Sequence, residues 1–137
     1  MKTNVLGVNF DDLTTHQAAA AAARLIGQGG FHYVVTPNPE FILSAKKDEE
    51  FRTILNGADL ALPDGIGVVY AAKILGRPFQ ERSPGIEFAQ ALMSIMSKER
   101  LSLFLLGAKP GVAEQAAENL KKTYPGKAVG RGPGRLL

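Results

Sequence analysis

Apolar residues in this chain come in short runs of two kinds, strand-like and helix-like, which alternate along its length. Val5–Phe10 is a brief apolar strand candidate closed by Asp11-Asp12. Thr14-Thr15-His16-Gln17 has capping-box spacing, with the Thr14 hydroxyl set to cap and Gln17 to reach back. Ala18–Ala23 and Leu25-Ile26 continue it as a helix, which Gly27, Gly29 and Gly30 end. Phe31–Thr36, β-branched and aromatic, predicts a buried strand stopping at Pro37. Asn38-Pro39 starts a helix carrying Phe41, Ile42 and Leu43, and a second helical stretch follows from Asp48 to Leu55. Asp59–Leu62 is a further short strand, punctuated by Pro63-Asp64-Gly65, and Ile66–Leu75 reads as a buried helix ending at Gly76.

Ser83-Pro84 gives an N-cap and a first-turn proline, and the helix behind it places Ile86, Ala89, Leu92, Met93 and Met96 on one stripe. Leu101–Leu106 is almost wholly apolar, as expected of a central strand in a parallel sheet. Gly107-Ala108-Lys109-Pro110-Gly111 turns into a helix from Val112 to Tyr124, which Pro125-Gly126 ends. Lys127–Val129 begins a fifth strand. Strands alternating with helices imply an α/β fold: an open, mostly parallel, Rossmann-like sheet with right-handed crossovers and helices on both faces. The expected layout is one α/β domain over residues 1–129, followed by an irregular Gly/Pro/Arg-rich tail, 130–137.

Composition narrows the classes. A chain of 137 residues, 45% hydrophobic and 21% charged, suits a single domain, not a disordered or coiled-coil chain. Without cysteine there is no disulfide, Cys-ligated zinc, iron–sulfur cluster or thiol nucleophile. Residues 1–100 carry 10 basic and 11 acidic side chains and residues 101–137 carry 6 and 2, so the basic excess sits in the last quarter. That bias favours an anionic surface or a phosphate ligand. With no Trp and no aromatics interleaved among the basic residues, a nucleic-acid platform is not expected. Apolar runs break well short of the roughly 18 residues a membrane span needs, so any membrane is met from the side.

Open α/β sheets bind ligands at the carboxyl ends of their strands. Three such ends are unusual here: Thr36-Pro37-Asn38-Pro39-Glu40, Leu62-Pro63-Asp64-Gly65-Ile66-Gly67 and Leu106-Gly107-Ala108-Lys109-Pro110-Gly111. Taken singly each has a plain reading. Asp64 and Asn38 suit helix capping, the prolines stiffen turns, and Lys109 suits a solvated surface. Taken together and in order, with Arg82 ahead of the Pro84 helix, they resemble the bacterial WecG/TagA/CpsF glycosyltransferase family, from Asn4 to about Gly130.

The resemblance implies inverting transfer of N-acetylmannosamine, or a related sugar, from a UDP-sugar donor to undecaprenyl-diphosphate-linked N-acetylglucosamine in cell-envelope polymer synthesis. It implies Asp64 as the base that takes the acceptor proton, with Thr36 beside it in the catalytic group. Asn38, Gly65 and Arg82 are then expected to bind substrate, Arg82 through pyrophosphate charge, and Gly107, Lys109 and Gly111 to form a turn at a helix N-terminus suited to diphosphate. No Asp-x-Asp motif occurs, and His16 and His32 have no ligand-like spacing, so neither a metal nor a cofactor is expected. Asp11-Asp12 and Asp48-Glu49-Glu50 read as acidic helix starts suited to the macrodipole. The implied location is cytoplasmic, peripheral on the membrane face.

Family members continue past the position of Leu137, and Gly130–Leu137 does not follow their pattern. A shortened family member is therefore expected, with weak donor binding, slow turnover and a tendency to self-associate as a homo-oligomer. The alternative is an impaired homologue acting only as a binding or interaction fragment. A dinucleotide enzyme is disfavoured, because neither Gly7-Val8-Asn9-Phe10 nor Gly65-Ile66-Gly67 continues as Gly-x-Gly-x-x-Gly.

Overall fold

A computed structural model describes residues 2–124 and 129–131. The chain packs as two compact units, Met1–Leu92 and Met93–Leu137.

The first unit opens with an antiparallel hairpin rather than one strand. β1 (Lys2–Val5) pairs with β2 (Val8–Asp11), Val5 opposite Val8. The expected single strand Val5–Phe10 is corrected here: Leu6 (φ 50°) and Gly7 (φ 96°) both take left-handed backbone, which turns the chain in two residues. Asn4 Oδ1 accepts from the Gly7 N–H at 3.1 Å. Helix α1 (Thr15–Gln28) then starts on the expected capping box: Thr14 Oγ1 accepts from Gln17 N–H at 3.1 Å and Gln17 Oε1 from Thr14 N–H at 2.9 Å.

β3 (Val34–Val35) and β4 (Leu60–Ala61) form a parallel pair. β3 is much shorter than Phe31–Thr36, and Phe31 is 84% exposed, so the buried-strand reading fails at its start. Between them lie α2 (Pro39–Lys47) and α3 (Glu49–Asn56), joined at Asp48, which ends one helix and caps the other by accepting from Phe51 N–H at 3.1 Å. α4 (Ile66–Ile74) follows β4, and α5 (Gly85–Lys98) begins after a loop.

Helices cover both faces of the β3–β4 pair. Val34, Leu60 and Leu62 pack with Ala18 and Ala22 of α1 and Phe88 of α5. Val35 packs on the other side, against a core of Phe10, Ile42, Leu55, Val68 and Phe79 that joins the hairpin to α2, α3 and α4. Phe10 and Phe79 meet edge to face at 5.8 Å, and burying one such ring contributes about 1.5–3 kcal/mol. The acidic pair Asp11-Asp12 braces the chain instead of facing a helix end. Asp11 Oδ2 accepts from Ala61 N–H at 2.8 Å and from Lys2 Nζ at 2.9 Å, and Asp12 Oδ1 accepts from Gln80 N–H at 2.8 Å. Two helices are less buried than their composition suggests. α4 buries only Val68 and Ala72, and in α5 Phe88 and Met96 are buried while Ile86 is 68% exposed.

In the second unit β5 (Leu103–Leu105) pairs in parallel with β6 (Val129–Arg131), and α6 (Val112–Thr123) lies between them in sequence. Phe104 and Leu106 are exposed, so this is not the fully buried central strand expected. Gly130 and Arg131, counted with the tail, belong to β6. Pro125–Ala128 and the remainder of the tail lie outside the described residues. The fold is mixed α/β; among the described residues its strands form three two-stranded sheets, two of them parallel, and no continuous five-stranded ladder.

Candidate functional site

Five of the expected site residues lie in the first unit, and three hydrogen bonds gather the turns that carry them. Leu62 N–H donates to Val35 O at 2.9 Å, extending the β3–β4 register past the strands. Asp64 N–H donates to Pro37 O at 3.3 Å, tying the two strand-end turns together. Ser83 N–H donates to Pro63 O at 3.3 Å, adding the loop before α5. The turns bearing Thr36, Asn38, Asp64, Gly65 and Arg82 are thereby drawn to one end of the β3–β4 pair. That is the carboxyl end, as the topology rule requires.

Glycines let these turns approach. Gly67 and Gly65 lie against the Pro39 ring: a Cβ at Gly67 would stand 2.9 Å from Pro39 Cγ, and one at Gly65 3.3 Å from Pro39 Cδ. Gly65 also holds φ 103°, which other residues rarely adopt. Gly85 abuts Thr36, where a Cβ would lie 3.3 Å from Oγ1. None of Pro39, Gly67, Ser83 and Gly85 is among the site residues expected from sequence. The signal was present in Gly-Ile-Gly and Ser-Pro-Gly, small residues at helix starts where backbones come close.

Asn38 caps α2, its Oδ1 accepting from Phe41 N–H at 3.0 Å, which leaves its amide NH2 for other partners. Asp64 does not cap. α4 begins at Gly65 with no side-chain cap, and the half-buried Asp64 carboxylate has no hydrogen bond or ion pair among the described residues. The plain reading of Asp64 as a helix cap therefore falls away. Arg82 is exposed within a firmly held loop. Gln80 is bound through Asp12, Glu81 accepts from Thr15 N–H, and the fully buried Ser83 donates from its hydroxyl to Leu13 O at 3.3 Å. That last contact replaces the helix-cap role expected for Ser83, and α5 starts at Gly85.

Gly107, Lys109 and Gly111 lie in the second unit. Gly107 (φ 110°), Ala108 (φ 66°) and Gly111 (φ 88°) bend the turn sharply, and Val112 N–H donates to Lys109 O at 3.1 Å. Gly111 starts α6 without a side-chain cap. The hollow beside this turn, about 210 Å³, is lined by Leu105, Leu106, Gly107, Ala108, Val112 and Ala113 and is apolar, and Lys109 does not line it. In the first unit a cavity of about 270 Å³ opens at the other end of β3, among Leu25, Ile26, His32, Tyr33 and Val34. It holds none of the expected residues, so chemistry is argued from the strand ends.

The order of these turns has a counterpart in known proteins. Residues 3–135 match the model of the glycosyl transferase WecG/TagA/CpsF family. The chain belongs to the WecG/TagA/CpsF glycosyltransferase family. Among its relatives is the N-acetylglucosaminyldiphosphoundecaprenol N-acetyl-β-D-mannosaminyltransferase of Bacillus spizizenii, 34% identical over 94 residues, or 69% of this chain and 37% of that protein. The protein of the same name from Staphylococcus aureus is 32% identical over 126 residues, or 90% of this chain and 50% of its own length. This WecG/TagA/CpsF chain thus spans about half the length of the S. aureus relative. The resemblance read from the three strand-end blocks is borne out. Among the described residues of this family member, no helix is long and apolar enough to cross a membrane.

Proposed function

We propose that the chain acts in inverting glycosyl transfer, passing N-acetylmannosamine or a related sugar from a UDP-sugar to lipid-diphosphate-linked N-acetylglucosamine. The observation that carries this reading is the Asp64 carboxylate. It stands at the end of β4, is not engaged in capping or pairing, and its turn is hydrogen-bonded to the turn bearing Thr36 and Asn38. A carboxylate so placed suits a general base.

In the proposed step the acceptor hydroxyl oxygen attacks the anomeric carbon as its proton passes to an Asp64 oxygen. The bond from that carbon to the UDP oxygen breaks on the opposite face, which inverts the configuration. The Thr36 hydroxyl and the Asn38 NH2 orient sugar hydroxyls or the acetamido group. Arg82 meets the negative charge of the departing diphosphate, and the uncapped start of α4 adds backbone N–H groups of the same polarity. Charge on the leaving group is met by Arg82 and amides rather than by an Asp-x-Asp metal site, and each parallel strand pair, with the helices between its strands, is read by itself as Rossmann-like. Catalysis takes place at the cytoplasmic membrane face, where a lipid-linked acceptor resides. The names of the B. spizizenii and S. aureus relatives support this choice of sugar and acceptor.

The test is incubation of the chain with UDP-N-acetylmannosamine and a short-chain lipid-diphosphate N-acetylglucosamine, with the product's anomeric configuration read by NMR. A β-linked disaccharide is expected. Absence of product above the protein-free blank, or a retained configuration, overturns the reading.

A further inference from the structure

α4 presents an apolar face to solvent. Ile66, Tyr70 and Ile74 are 57%, 56% and 85% exposed, and their spacing of four places them on one side of the helix. The opposite side holds the buried Val68 and Ala72. Lys73, seven residues after Ile66, shares the exposed face, and Arg77 follows the helix. No acidic residue occurs from Gly65 to Gln80. The face is therefore an aliphatic and tyrosine stripe on a helix whose one charged residue is Lys73, and its first residue stands two positions after Asp64.

We infer that the Ile66–Tyr70–Ile74 face of α4 docks on an anionic lipid surface, with the Asp64 turn at its edge. This rests on the proposed use of a lipid-linked acceptor. Isoleucines enter the acyl boundary, Tyr70 lies at headgroup depth, and Lys73 lays its stem along the apolar layer with its ammonium among lipid phosphates. Charge selects the occupant. A second copy packed face to face would set Lys73 against its own equivalent with no carboxylate on either α4, whereas an anionic bilayer answers it. Docked this way, the helix brings the strand-end turns to the depth at which a lipid diphosphate emerges.

The experiment is co-sedimentation of the chain with vesicles of phosphatidylglycerol and phosphatidylcholine in equal parts, and with phosphatidylcholine alone. The wild-type chain should pellet with the first far more than with the second. Ile74→Glu, at a side chain that supports no core, should lower that partition about tenfold or more. As a second reading, Ile74→Cys in this cysteine-free chain carries an environment-sensitive fluorophore, and the exposed Glu50 of α3, as Glu50→Cys, serves as control. A blue shift at position 74 but not at 50 on the anionic vesicles is expected. Failure of the wild-type chain to pellet, or pelleting unchanged in Ile74→Glu, overturns the inference. So does a blue shift at 74 that grows with protein concentration without vesicles, which marks a second copy as occupant. Transfer to the short-chain acceptor keeps the claims apart: Ile74→Glu leaves it intact and Asp64→Asn slows it by about 10²–10⁴-fold. Intact transfer with no vesicle binding overturns the docking alone; vesicle binding with transfer unaffected by Asp64→Asn overturns the base alone.

Discussion

The His32 ring faces two acceptors at once. Nδ1 lies 3.0 Å from Asp59 Oδ1 and Nε2 lies 2.9 Å from Gly29 O, so only the doubly protonated ring donates to both. The hydrogen bond to Asp59 holds the His32 pKa above its ordinary 6.5, helped by the Gly29 carbonyl, and the same pairing with His32 holds Asp59 below 3.8. The His32 contribution is complete below 6.5 and fades as pH rises through the folded value; that of Asp59 is present above 3.8 and fades as pH falls through its own. The margin in Tm of the wild-type chain over His32→Gln should therefore be largest between those limits and shrink as pH rises above 6.5 through the folded value. A margin constant across that range would contradict the pairing. From sequence His32 reads as an ordinary strand residue, because its partner is 27 positions away and only folding joins them. Ser83 is illegible for the same reason: a Ser-Pro dipeptide suggests a cap, while Leu13, 70 positions off, takes the hydroxyl.

Helix starts are the most legible elements, since their signals are local. Thr14 with Gln17, Asn38 and Asp48 all cap as their spacing foretells. Strands are less legible. The hairpin turn at Leu6-Gly7 hides inside a run that looks continuous, and the β3 and β5 segments pair over only two or three residues although their apolar runs are longer. The exposed stripe on α4 was read as buried because composition alone cannot say which face meets the core. Where α2 and α4 meet, the contact is sharp enough to test. Gly67→Ala puts a methyl 2.9 Å from Pro39 Cγ, on a ring that yields little, and should cost about 1–3 kcal/mol in denaturant unfolding. Gly27→Ala, in α1 with open space around it, should instead stabilise by about 0.4–1 kcal/mol. Equal effects at both positions would contradict the close approach that sets the Asn38 and Asp64 turns together.

Across the whole molecule, the residues expected from sequence fall in two units, each described by itself: Thr36, Asn38, Asp64, Gly65 and Arg82 in the first, and Gly107, Lys109 and Gly111 in the second. The three strand-end blocks were legible because each is a local run of Pro, Gly and polar residues at the end of an apolar stretch. The bonds that gather them, Asp64 to Pro37 and Ser83 to Pro63, are backbone contacts that leave no mark on residue identity. Part of the basic excess of the last quarter has a plain use, since Lys121 and Lys122 sit in the last turn of α6, where cations suit the helix dipole. The central claim concerns one carboxylate, and replacing it tests that claim most directly. In single-turnover transfer from UDP-N-acetylmannosamine, Asp64→Asn should slow the chemical step by about 10²–10⁴-fold with Tm unchanged. A rate for Asp64→Asn within a few-fold of the wild-type chain would contradict the account.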